Sequence, residues 1–143
     1  MPGSLKSSPM PITYAVEPDL TAQEFRNVLI ASTLAERRPA NDLPRLEKML
    51  RHANVIITAR HGTRLVGISR AITDFSYCCY LSDLAVDVAY QKQGIGKRLI
   101  EETRACAGEC AALILISAPA AEGYYPRIGM QPVKSCWVTP KSA

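Results

Sequence analysis

The chain has 143 residues, 48% apolar and 21% charged, with a formal net charge of +4; that size and balance predict one soluble domain burying about two thirds of its unfolded surface. The charge is modest, no long basic run occurs, and only Lys134 and Lys141 are basic beyond Arg127, which argues against nucleic acid and favours a small anionic ligand. No stretch reaches the length of a membrane span and residues 1–9 lack the apolar segment of a signal peptide, so no membrane partner and a cytoplasmic location are expected.

Residues 1–10 read as a flexible lead and residues 11–143 as the domain. Ile12 to Val16 is a short candidate strand. Pro18-Asp19 is expected to open a helix reaching about Leu34, with Leu20, Phe25, Val28, Leu29 and Ala31 on a broad apolar face. The segment from Glu36 to Asn41 breaks it. A second helix follows from about Leu43 to His52, capped by Asp42, with Pro44 in its first turn and Leu43, Leu46, Met49 and Leu50 as its apolar side. Asn54 to Arg60 is a strand, His61-Gly62 a hairpin turn, and Arg64 to Thr73 the returning strand. A third antiparallel strand begins near Ser76 and runs through Asp83 to Val86.

The stretch from Leu81 to Ile100 organises the chain. It passes from a β-prone apolar run holding one acid, Asp83, through a polar turn with Gly94 and Gly96, into a pattern that fits a helix from Lys97 onward. Glycines at such a turn let the backbone approach a ligand, and the first N–H groups of the helix have no intrahelical partners, so phosphate is the natural occupant. Neither the third glycine of a dinucleotide fingerprint nor the Gly-Lys-Ser/Thr of a Walker loop is present. The alternative is that both glycines merely tighten a strand-to-helix connection.

Leu99, Ile100, Thr103, Ala107 and Cys110 can form the buried stripe of the following helix, whose end is blurred by Gly108. Ala111 to Ser117 is a continuous apolar run, expected as a central strand covered on both sides and parallel to the strand at Leu81. Pro119 ends it, and a closing strand is expected from Gln131 to Val138. The five cysteines, Cys78, Cys79, Cys106, Cys110 and Cys136, contain no C-x-x-C pair; buried free thiols are expected and no metal site. His52 and His61 read as surface residues.

Two segments carry a family resemblance. Gln91-x-x-Gly94-x-Gly96 resembles the Arg/Gln-x-x-Gly-x-Gly/Ala signature of the GCN5-related N-acetyltransferases (GNAT), and Ala121-Glu-Gly-Tyr-Tyr125-Pro-Arg-Ile-Gly129-Met130 is similar to that family's Ala-x-x-Phe-Tyr-x-x-x-Gly-Phe segment. Met130 stands where phenylalanine is frequent, and Pro126 is unusual within the short helix. The resemblance implies a single mixed α/β domain with a centrally splayed β-sheet flanked by helices. It implies acetyl-coenzyme A as cosubstrate, with the backbone of a bulged strand at Leu84, Ala85 and Val86 meeting the pantetheine arm. The turn of Gln91, Lys92, Gln93, Gly94, Ile95, Gly96, Lys97 and Arg98 would hold pyrophosphate; for Lys92, Lys97 and Arg98 an ordinary solvated helix start is the competing account.

The same resemblance gives Tyr124 the packing position beside the cofactor and Tyr125 the role of acid toward the departing thiolate, although a Tyr-Tyr pair can also be core and rim. Glu36, Arg37 and Arg38 become candidate acceptor contacts, or a solvated helix end. Asp83 is the first candidate for the general base because it is an acid within a buried run, with a structural acid as the equal alternative and Glu122 as runner-up. The activity implied is acetyl transfer to a primary amine of a small molecule or peptide, directly in a ternary complex, by a monomer or homodimer. A coenzyme A-binding sensor or accessory protein is the competing class. The acceptor amine, the acyl-chain preference and the oligomeric state do not follow from the sequence.

Overall fold

The computed structural model describes residues 10–142, so the expected lead lies almost wholly outside the described residues. One five-stranded sheet is built from β1 (Ile12–Val16), β2 (Val55–His61), β3 (Arg64–Thr73), β4 (Cys78–Val86) and β5 (Ala112–Ile114), in that spatial order. The helices are α1 (Ala22–Ala31), α2 (Leu43–Arg51), α3 (Ile95–Ala107) and the single turn α4 (Tyr124–Arg127). Neighbours from β1 to β4 are antiparallel, whereas β5 returns through the α3 crossover and lies parallel to β4. This is the mixed, helix-flanked sheet the sequence predicts. No described helix is long and apolar enough to cross a membrane.

The sheet has a core on each face. Val55, Ile57, Ala71, Cys79 and Leu81 pack with Ile95, Leu99 and Ile100 of α3, while Ile56, Ile68 and Ala85 pack with Phe25, Val28 and Leu29 of α1 and Leu46 and Leu50 of α2. A register shift makes both cores possible for β4: Arg70 faces Asp83 while Ala71 faces Leu81, so Ser82 is an extra residue. The bulge reverses the alternation. Cys79 and Leu81 before it point toward α3, as do Leu84 and Val86 after it, whereas Ala85 joins the α1/α2 core.

Local chemistry sets the element ends. Thr21 caps α1, its hydroxyl accepting from the Glu24 N–H at 3.1 Å, so the helix starts later than Pro18. It also stops earlier than Leu34: Thr33 takes a left-handed conformation (φ 70°) and a short 3-10 turn, Leu34–Arg37, follows. Asp42 caps α2 as expected, accepting from the Arg45 N–H at 3.1 Å. β4 starts at Cys78 rather than Ser76 because Asp74 Oδ1 accepts the N–H groups of Ser76, Tyr77 and Cys78 at 2.8–3.0 Å and holds them in the turn.

Three expectations are corrected. The run from Ala111 to Ser117 is not a central strand; only Ala112–Ile114 pairs, at the sheet edge, and Ile114 and Ile116 are exposed because no described residues cover their face. Gln131 to Val138 forms no strand and its residues are exposed, since β5's outer edge takes no partner among the described residues. Of the cysteines only Cys79 is buried; Cys78, Cys106, Cys110 and Cys136 are exposed on edges, a helix end and the C-terminal segment.

Candidate active site

β4 and β5 stay paired for only three residues, Cys78–Tyr80 against Ala112–Ile114. Beyond Tyr80 the two strands part, and the side of β4 from Leu81 to Val86 that faces away from β3 has no strand partner among the described residues. Alternate residues turn their backbone groups away from β3, here Leu84 and Val86, while Ala85 pairs with Ile68; an extended ligand can meet this edge, apart from the Val86 carbonyl that Gln91 already occupies. The opening lies between the strand that carries the bulge and the segment that leads to α4.

The strand leads into the glycine turn. Asp87 ends β4: it is 3% exposed, accepts the Ala89 N–H through Oδ1 at 2.9 Å, and takes Arg64 on Oδ2 at 2.8 Å. Tyr90 follows, its hydroxyl 2.8 Å from His61 Nδ1, so this histidine is half-buried and partnered rather than a plain surface residue. Gln91 turns back and donates from Nε2 to the Val86 carbonyl at 3.1 Å. Lys92 (φ 65°) and Gly94 (φ 82°) are both left-handed, and α3 starts at Ile95, two residues before the expected Lys97.

The helix N-terminus has no side-chain cap because its cap residue is Gly94. Tyr124 stands over it instead. A Cβ placed on Gly96 would lie 3.1 Å from the Tyr124 hydroxyl, while one on Gly94 would meet nothing within 4 Å. Burial raises the Tyr124 hydroxyl pKa, and the Lys97 backbone N–H that it accepts from draws it partly back down. With the Lys97 N–H taken by Tyr124, the turn is open at Gly94, and an anion of phosphate size fits the chemistry of the amides ahead of Lys97.

The cationic side chains nearby divide. Lys92 and Lys97 are exposed, whereas Arg98 is engaged by Glu102 at 2.9 Å and stacks on the Tyr14 ring at 4.6 Å. Gln93 is also exposed. The backbone, with Lys92 and Lys97, is what the turn can present to a diphosphate.

Tyr125 packs against the α3 core with Ile128 and Met130 and meets Tyr124 edge-on, ring centroids 5.3 Å apart at 76°. Burial pushes its hydroxyl pKa above the ordinary 10.0, with the neighbouring Tyr124 adding to the rise. Pro126 sits inside the single turn of α4, where its missing N–H breaks no bond. Glu122 is exposed.

Asp83 has no exposed surface. Arg38 donates from Nε to Asp83 Oδ1 at 2.5 Å, and Arg70 donates from Nε to Oδ2. The same guanidiniums reach Ser82 on either side of the bulge, Arg38 to its carbonyl at 2.8 Å and Arg70 to its hydroxyl at 3.0 Å. Of the three charged residues beyond α1, Glu36 and Arg37 are exposed and Arg38 alone is brought to β4. Sequence reasoning passed over Arg70 and Asp87. The signals were a charge two residues after Ile68 on one face of β3 and an acid just before a short turn, the usual cap position.

The model of the acetyltransferase (GNAT) domain family matches residues 17–137. A Glycine max protein named histone acetyltransferase TAP1 is 33% identical over 75 residues, 45% of this chain, and the match spans about a third (32%) of that relative's length. Among solved structures, a protein of unknown function from meticillin-resistant Staphylococcus aureus superposes with TM-score 0.76 at 22% identity, covering 92% of this chain and 99% of that one. Aminoglycoside N-acetyltransferase AAC(6')-Iy, solved in complex with CoA, superposes with TM-score 0.74 at 14% identity over 97% of this chain and 100% of that one.

Proposed function

The chain belongs to the acetyltransferase (GNAT) domain family, and we propose that it transfers an acetyl group from acetyl-coenzyme A to a primary amine held in a ternary complex. The observation that carries this reading is the unpaired edge of β4 beyond Tyr80, which leads through the turn from Asp87 to Gly94 to the first turn of α3. Bound there, acetyl-coenzyme A supplies the acetyl group as a thioester. The outward-facing backbone of Leu84–Val86 pairs with its extended arm, and the turn amides ahead of Lys97 hold its diphosphate beside the Tyr124 hydroxyl.

The amine must reach the thioester carbon uncharged; the new C–N bond forms as the C–S bond breaks. Tyr125 gives its proton to the departing sulfur. A hydroxyl whose pKa burial has raised stays protonated at working pH and is therefore available as an acid. The surplus proton on nitrogen leaves to water, and the Tyr125 phenolate regains a proton from the same solvent, which closes the cycle. Asp83, with one guanidinium on each oxygen, holds Arg38 and the bulge in position instead of collecting that proton.

The occupied Asp83 is also the observation that favours a coenzyme A-binding accessory role, because it leaves this carboxylate no free oxygen to serve as a base. Titration calorimetry with acetyl-coenzyme A, followed by turnover of a panel of primary amines, separates the two. Binding with turnover supports the transferase, and binding without turnover supports the accessory role. No binding at millimolar concentration removes both.

A further inference from the structure

Helices α1 and α2 cover only part of their face of the sheet. Register shows what is left bare: Ile72 pairs with Tyr80, and Tyr80 pairs with Ile114, so these three side chains stand in a row across β3, β4 and β5. Their sequence neighbours Ala71, Cys79 and Leu113 point the other way, into the α3 core. The row is 48%, 40% and 51% exposed, and Ile116, further along the β5 segment, is 51% exposed. An aligned aromatic and aliphatic strip of this kind marks a binding surface more often than a scattered apolar residue does.

Its position on β4 gives it a use. Tyr80 is the last β4 residue paired to β5 and lies two residues before Ser82, where the bulge starts and the strand's edge becomes free. The charged groups that meet β4 at the bulge sum to one positive charge: Arg38 and Arg70 share Asp83, and each oxygen of that carboxylate already accepts a guanidinium.

We infer that the Ile72–Tyr80–Ile114 row is the acceptor subsite and takes primary amines carried on an aromatic or aliphatic body, arylalkylamines foremost. This rests on the acetyl-transfer reading of the cleft and adds the acceptor's chemical class to it. An apolar body covers the strip while its amino group extends past Ser82 toward the thioester. A polycationic amine meets a net positive charge at the bulge, where both oxygens of Asp83 are taken.

The test uses the full chain with 2-phenylethylamine, ethanolamine and spermidine as acceptors. The expected result is a kcat/KM for 2-phenylethylamine at least about tenfold above the other two, carried mainly by KM. Tyr80→Ala and Ile114→Ser should each pull that ratio toward one. Both sites are exposed, and a thermal melt by circular dichroism verifies that the variants fold. A second reading needs no cofactor: 2-phenylethylamine should shift the methyl NMR signals of Ile72 and Ile114. Preference for spermidine or ethanolamine, or unmoved methyl signals, overturns the inference. So does a wild-type dimer in light scattering that Tyr80→Ala dissociates, which would assign the row to a second copy. A chain that binds no acetyl-coenzyme A overturns the transfer reading and this inference together. One that acetylates ethanolamine as well as 2-phenylethylamine overturns this inference alone.

Discussion

Asp83 is fully enclosed, and each of its carboxylate oxygens accepts a guanidinium N–H, from Arg38 on one side and Arg70 on the other. Asp83→Asn keeps the shape and removes the counter-charge, and Arg70, whose side chain is 7% exposed, has little water to replace it. Removing one partner of a buried pair costs about 3–5 kcal/mol, so urea unfolding should show a loss of that order. A loss under about 1 kcal/mol, the worth of a surface pair, would mean that the guanidiniums re-solvate and the network does not fix the bulge. Tyr125 calls for the opposite kind of test, since its hydroxyl matters to chemistry more than to folding. Tyr125→Phe keeps the ring against Ile128 and Met130 and should lower kcat by a factor of about 10 to 1,000 with little change in cofactor affinity. Because burial holds the proton on beyond pH 10.0, the alkaline limb of the rate profile below that pH should have the same shape in both proteins. An unchanged kcat would make Tyr125 a packing residue.

The β3–β4 turn couples pH to stability. Backbone N–H groups of Tyr77, Ser76 and Cys78, in that order of effect, pull the Asp74 carboxyl from 3.8 to about 2. A carboxyl whose folded pKa is depressed contributes its stability above the unfolded value, and the contribution drains away as pH falls through the folded one. Urea midpoints should therefore drop between about pH 4 and about pH 2. Asp74→Ala should start lower at neutral pH and decline less over that window; parallel curves would show that the three N–H bonds do not depend on the charge. The glycine turn is tested by comparison within one element. Gly96→Ala sets a methyl 3.1 Å from the Tyr124 hydroxyl at the helix start, disturbing several amide donors at once. Lys92→Ala removes one exposed charge, worth at most about 1 kcal/mol. Calorimetric dissociation constants for coenzyme A should therefore rise more for Gly96→Ala, and the reverse ranking would place affinity in the lysine rather than in the backbone.

Across the molecule, what the sequence made legible was local. Asp42 before Leu-Pro, the hairpin at Gly62 and the glycine turn each announce an element end within a few residues, so the element order from β1 to α3 could be read directly. The partners of Asp83 could not be read, because Arg38 is 45 residues away and Arg70 is 13 away, and periodicity carries no information about such contacts. The apolar run at Ala111 and the closing strand expected at Gln131 misled for the same reason: a pattern specifies a strand only when an edge and a covering layer are supplied from elsewhere. Both layers are supplied to the strands β2 to β4, and this sets the energetics of the whole. Leu99 of α3 and Leu46 of α2 have no exposed surface and lie on opposite faces of the one sheet, in separate cores. Truncating a buried leucine to alanine costs about 2–5 kcal/mol, the transfer term plus the cavity left behind. With no shared neighbours, the losses from Leu46→Ala and Leu99→Ala should add to within about 0.5 kcal/mol. Since a domain of this size has about 5–15 kcal/mol in all, the double variant should be close to unfolding at 25 °C. It should still lose both cores in one transition, because each is built on the same strands. Two separate transitions in circular dichroism, or a double loss far from the sum, would show that the α1/α2 layer and the α3 layer fold as distinct units and that the sheet does not bind them into one.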